Sequence, residues 1–119
     1  MSITPNDILN TANKLLTNGA SDEACYRSAT SRAYYAAFHK AIEHANKRNL
    51  PKPTKSKNPH EDEISRFDLA NTPQDSAIAT DLRQLKYLRK KADYKLQNTI
   101  TLIESQMQIQ MASKLMSLL

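Results

Sequence analysis

Ser31-Arg32-Ala33-Tyr34-Tyr35-Ala36-Ala37-Phe38-His39-Lys40-Ala41 packs small residues, two tyrosines, an arginine and a histidine into three turns of one predicted helix. Ala33, Ala37 and Ala41 recur every four positions and so fall on a single helical face. A stripe of alanine lets a second helix approach closely. Arg32, Tyr35 and His39, at i, i+3 and i+7, share the opposite face. The segment therefore predicts a closely packed helical bundle, with a polar face that can carry chemistry.

The rest of the composition points the same way. The chain has 119 residues and one glycine. Folds built on β-hairpins need glycine in turns and bulges, and this chain cannot supply it. Alanine, leucine, lysine and glutamine are abundant, which favours helix. The expected fold is all-α, an antiparallel four- to five-helix up-and-down bundle, with residues 1–119 forming a single domain. Cys25 is the one cysteine, so no intrachain disulfide can form, which fits a reducing compartment. No apolar run approaches the roughly 18 residues of a membrane span, and no signal peptide opens the chain. A soluble cytoplasmic protein with no membrane partner is expected.

Local signals place the helices. Thr4 caps the first, with Pro5 at its first position and Asp7 at its third. Its apolar stripe is Ile8, Leu9, Ala12, Leu15 and Leu16, and Gly19 suits a left-handed C-terminal cap. A second helix runs from Ser21 to about Arg48. Pro51 and Pro53 then enforce a basic loop. Asn58-Pro59 opens a short third helix, where Glu61 completes a capping-box-like pattern and Ile64, Phe67 and Leu69 are apolar. Thr72-Pro73 opens a fourth helix running to about Leu96. A fifth starts near Thr99 or Thr101, and Thr101 with Glu104 makes a capping box. It carries Ile109, Ala112, Leu115, Met116 and Leu119 and almost no charge, so it is either central to the bundle or part of a dimer interface. Met107, Met111 and Met116 read as core filler rather than ligands.

The net charge is +5, and its distribution is uneven. Residues 46–58 hold five cations and no acid, and residues 83–95 hold six cations against Asp93 alone, while residues 61–75 are acidic. Two basic segments suggest a polyanionic partner such as RNA, or else a merely solvated surface. On the fourth helix Ile78, Leu82, Leu85, Ala92 and Leu96 form one stripe, and Arg89 falls inside it. An arginine aimed at a core must find an anion or acceptors, and Asp93 at i+4 is the nearest. The opposite face carries Arg83, Tyr87, Lys90 and Tyr94, a basic and aromatic alternation suited to phosphates and bases, or to a dimer rim. Arg83, Lys86, Tyr87, Lys90 and Lys91, with Tyr35, are the candidate contacts to RNA or a nucleotide. No metal site is expected: His39 and His44 are poorly spaced and His60 lies on another helix. A glycine-rich phosphate loop is impossible, and no cofactor is implied.

Three segments together resemble the HEPN family, small α-helical domains of prokaryotic defence and toxin–antitoxin systems. They are Ser31 to His39; the basic loop leading into Lys57-Asn58-Pro59-His60 with Ile64 and Phe67; and Leu88-Arg89-Lys90-Lys91-Ala92-Asp93-Tyr94. The resemblance spans about residues 5 to 118. It implies a bundle that often forms a homodimer with a cleft at the two-fold axis. In active members that cleft cuts RNA without metal, using an arginine followed after four to six residues by a histidine. Many members pair with a small nucleotidyltransferase acting as antitoxin. Here Arg89 matches the motif arginine, but Tyr94 stands where the histidine belongs, and no histidine follows His60. The candidate catalytic residues are therefore Arg89, Asp93 and Tyr94, with Arg32 and His39 as a second pair of the right spacing. A regular helix would turn Tyr94 about 140° away from Arg89, so a kink near Asp93 is expected if the two are to meet. The leading expectation is binding of RNA or a nucleotide, or partnership with a nucleotidyltransferase, with nuclease activity reduced or absent. The alternatives are an active metal-independent endoribonuclease and a purely structural dimerisation module.

Overall fold

The computed structural model describes residues 2–18 and 22–119, and is all-helical among them. Five helices follow one another: α1 (Pro5–Thr17), α2 (Glu23–Lys47), α3 (Pro59–Ala70), α4 (Pro73–Tyr94) and α5 (Leu102–Ser117). The fold class is that expected from the glycine-poor, alanine-rich composition. None of the described helices is long and apolar enough to cross a membrane.

The caps are local chemistry made visible. The Thr4 hydroxyl accepts from Asp7 N–H, and the Asp7 carboxylate accepts from Thr4 N–H. The same reciprocal pair joins Thr101 and Glu104 at α5. Asp22 caps α2; the expected start at Ser21 and the Gly19 cap lie outside the described residues. Asn58 caps α3 by accepting from Glu61 N–H. Glu61 does not return the bond, because its carboxylate reaches across to α4. Asn71 closes α3 in the left-handed conformation, φ 57°, a geometry asparagine tolerates better than most residues.

α2 is the central element, packing against α1, α4 and α5, while α3 lies mainly on α4. Ala33, Ala37 and Ala41 are buried, as their spacing requires, and join Tyr34, Phe38, Ile64, Phe67, Ile78, Leu82, Leu85, Ile109, Ala112 and Leu115 in one core. Leu69, Leu96 and Met107, all expected in the core, are exposed instead, and Leu96 lies beyond the end of α4 at Tyr94. α5 is neither wholly central nor wholly interfacial. It buries Ile109, Ala112, Leu115 and Met116 and turns Ile103 and Met107 outward, with the capping Leu118 exposed just beyond its end.

The basic loop between α2 and α3 is tied down by ion pairs. Arg48 forms a two-pronged pair with the buried Asp75, at 2.6 and 2.9 Å, and Lys52 pairs with Glu63. Two of the five cations of residues 46–58, Arg48 and Lys52, are therefore paired with acids of the fold.

Candidate functional site

Two arginines are buried to the same extent: Arg66 is 5% exposed and Arg89 is 4% exposed. Arg66 is satisfied. Its Nε donates to the Leu50 carbonyl at 3.0 Å, and its Nη1 donates to Asn46 at 2.8 Å and Glu63 at 3.1 Å. Arg89 is not. Its Nε is buried and donates to nothing. The Asp93 carboxylate lies 3.6 Å from Nη1, beyond hydrogen-bond length, and is engaged instead by the Ser31 hydroxyl at 3.1 Å. What surrounds the Arg89 guanidinium is aromatic. It lies 5.1 Å from the ring centre of Tyr34, 5.5 Å from Tyr35 and 5.8 Å from Tyr94. Each such contact contributes about 0.5–2 kcal/mol of cation–π attraction. None supplies an acceptor for the N–H groups.

Tyr94 thus reaches Arg89, although α4 runs on through Tyr94 as its last residue. Side-chain length bridges the angle that a regular helix imposes, in place of the expected kink. Beyond Tyr94 the chain turns, and Arg27 of α2 closes the end of α4. Its Nη1 donates to the carbonyls of Lys91 and Ala92, its Nη2 to that of Asn98, and its Nε to Glu23.

His60 joins the cluster from α3. Its Nδ1 is 2.7 Å from the Tyr34 hydroxyl, and its ring packs on Phe38, 4.8 Å between centres, and near Tyr35. Burial lowers the His60 pKa, and Arg89, Lys86, His39 and Lys90 lower it further. Tyr35 in turn stacks on His39. The sequence contained no local sign that His60 and Arg89 would flank one tyrosine, since His60 is 26 residues from Tyr34 and on a different helix from either partner.

The remaining candidates divide into two groups. Arg83 and Lys86 face α3: Glu61 takes both, with Arg83 Nε at 2.8 Å and Lys86 Nζ at 2.9 Å, and Asp68 takes Arg83 as well. Burial pushes the Glu61 pKa up, but the bonds from Lys86 and Arg83 outweigh it and hold the carboxyl below its usual range. These two cations are committed to holding α3 on α4. Lys91 approaches Glu104 only loosely, at 3.6 Å. Tyr87, Lys90 and Tyr94 are exposed on one face of α4, and Arg32 and His39 are exposed on α2. Neither Arg32 nor Lys90 forms an ion pair among the described residues. Arg32 and His39 share a face but are not brought together with Arg89 by any hydrogen bond or ion pair.

Between α2 and α4 lies an open groove of about 480 Å³, lined by Arg27, Ser28, Ser31, Arg32, Tyr35 and Asp93. Its volume is in the range of small-ligand sites, and hydroxyls and guanidinium groups predominate among its polar walls. Among the described residues no group of three or more His, Cys, Asp or Glu side chains is placed to hold a metal ion. No family model matches the chain, and neither a curated protein nor a solved structure does.

Proposed function

We propose that this chain binds a phosphate-bearing ligand, RNA or a nucleotide, at the face of α2 and α4 around Arg89, as a HEPN-like domain with reduced or absent nuclease activity. The observation that carries this reading is the contrast between the two buried arginines. Arg66 has three acceptors, whereas Arg89 has an orphaned Nε and a carboxylate held off at 3.6 Å. A buried charge without acceptors is costly, and an anionic ligand would supply them. Arg32 and Lys90 add uncompensated cations nearby, and Tyr94, exposed and within 5.8 Å of the Arg89 guanidinium, offers a ring on which a base can stack.

Filter binding of short single-stranded RNAs across a salt series tests this. Affinity should fall as salt rises, with a slope of about 0.7 per phosphate contacted, and Arg89→Gln should weaken binding about tenfold or more. No binding at low salt would dispose of the nucleic-acid reading.

A second reading, an active metal-independent endoribonuclease, gains from His60. An arginine and a histidine pack against the same tyrosine, which is the residue pair that phosphodiester cleavage needs for charge stabilisation and proton transfer. Cleavage of RNA in the presence of chelator, abolished by Arg89→Ala or His60→Ala and untouched by His39→Ala, is the result expected of it.

The same HEPN reading makes the chain a homodimer, and the outward apolar face of α5 supports this. It also implies a small nucleotidyltransferase antitoxin as partner, which a neighbouring gene for such a protein would favour. Without ligand binding, the dimerisation module is the reading that survives.

A further inference from the structure

Tyr34 is completely buried, and its hydroxyl has one hydrogen-bond partner among the described residues, Nδ1 of His60. A phenol carries one proton, and here it keeps it: burial drives the Tyr34 pKa far above the usual tyrosine range, and Arg89 offsets this only in part. With no other acceptor at hand, the Tyr34 O–H donates to Nδ1. A neutral imidazole that accepts at Nδ1 carries its proton on Nε2. The hydroxyl therefore selects the tautomer.

Burial first, and then the charges around it, lower the His60 pKa. From α4 it faces Arg89, Lys86 and Lys90, and from α2 it faces His39, all disfavouring imidazolium. The acid beside it on α3, Glu61, is taken by Arg83 and Lys86, and Asp93 on α4 is bonded by Ser31. The Nε2–H of His60 donates to no described residue. The Nε2–H of His60, unpaired among the described residues, and the buried, orphaned Nε of Arg89 thus flank a single tyrosine in a cluster of cations.

We propose that the Nε2–H of His60, set by the Tyr34 hydroxyl, is a second donor to a phosphoryl oxygen of the ligand whose charge Arg89 meets. This rests on the phosphate reading above. The ligand class is a phosphate monoester or diester, and Tyr34 is a positioning residue acting through His60.

Long-range ¹H–¹⁵N correlation spectra of the histidines in the full chain at pH 7 test the tautomer directly. The expected pattern is Nε2-protonated His60 in the free protein, redistributed toward the other tautomer in Tyr34→Phe. Addition of a short oligoribonucleotide or of inorganic phosphate should move the His60 Nε2 resonance. His60→Ala should weaken oligoribonucleotide binding about tenfold. His60→Gln, which keeps an N–H at similar reach, should cost about threefold. An Nδ1-protonated pattern in the wild-type protein overturns the proposal whatever binds, and needs no variant to fold. Wild-type affinity in His60→Ala, with Arg89→Gln abolishing binding, removes His60 and leaves the phosphate reading standing. If the wild-type protein shows the Nε2 pattern but binds neither probe, the phosphate reading falls and takes the donor role with it.

Discussion

Arg89 and Arg66 are equally buried, yet they serve the molecule differently, and substitution should separate them. Arg66 holds the Leu50 carbonyl, Asn46 and Glu63. Replacing it with methionine leaves Glu63 with Lys52 alone and strands two other acceptors, and should cost about 2–3 kcal/mol. Arg89 donates little and displaces no acceptor when removed. Methionine in its place keeps the volume and makes sulfur–aromatic contacts with the same rings, so Arg89→Met should be neutral or stabilising. Thermal unfolding followed by circular dichroism would show Arg66→Met melting several degrees below wild type and Arg89→Met at or above it, while Arg89→Met loses oligoribonucleotide binding. If both variants melt equally early, Arg89 is a structural arginine and its retention needs no ligand.

At the scale of the helix, α2 is built around alanine. Ala33 and Ala37 are fully buried and Ala41 nearly so, on an element that touches three of the other four helices closely. Leucine at position 37 would push the neighbouring helix away or force strained rotamers, at a cost of about 1–3 kcal/mol. For a domain of this size that is a drop in melting temperature of about 4 °C or more. Arg32→Leu, on the exposed face of the same helix, should change stability by less than about 0.5 kcal/mol. Equal melting of Ala37→Leu and wild type would mean that the seam is loose. This stripe was legible in the sequence because helical periodicity is a property of one segment, and so were the Thr4, Asn58, Thr72 and Thr101 caps, whose partners lie three residues away. Arg89 was legible for the same reason, as a cation inside an apolar stripe. What could not be read were pairings between helices. Glu61 looked like a capping residue, but only the placement of α3 on α4 reveals that it holds Arg83 and Lys86. The basic face of α4 looked wholly free for that reason. His60 gave no local sign of Tyr34, because the contact depends on how a proline-containing loop returns α3 to the bundle.

At the scale of the whole molecule, the outward face of α5 bears on the proposed homodimer. Ile103, Met107 and Leu118 are each more than half exposed and share one side of the helix at helical spacing. A groove of about 280 Å³ beside them is lined by Asp81, Met107, Gln110, Met111, Lys114 and Leu118. Asp81 and Lys114 form no ion pair among the described residues, and they lie in the same groove. A two-fold axis brings the same patch of both copies together, so each residue meets its complement on the other chain. Lys114 of one copy can then pair with Asp81 of the other around a methionine and leucine centre. Sedimentation velocity at micromolar concentration should give a dimer for the wild-type chain. Met107→Glu should convert it to monomer by placing a charge in the apolar centre. Lys114→Asp should weaken the dimer through like-charge repulsion with Asp81, and adding Asp81→Lys should restore it, since the swapped pair is again complementary. A wild-type monomer at that concentration removes the dimer. A dimer that Met107→Glu breaks but the double swap does not restore keeps the α5 face and discards the Asp81–Lys114 pairing.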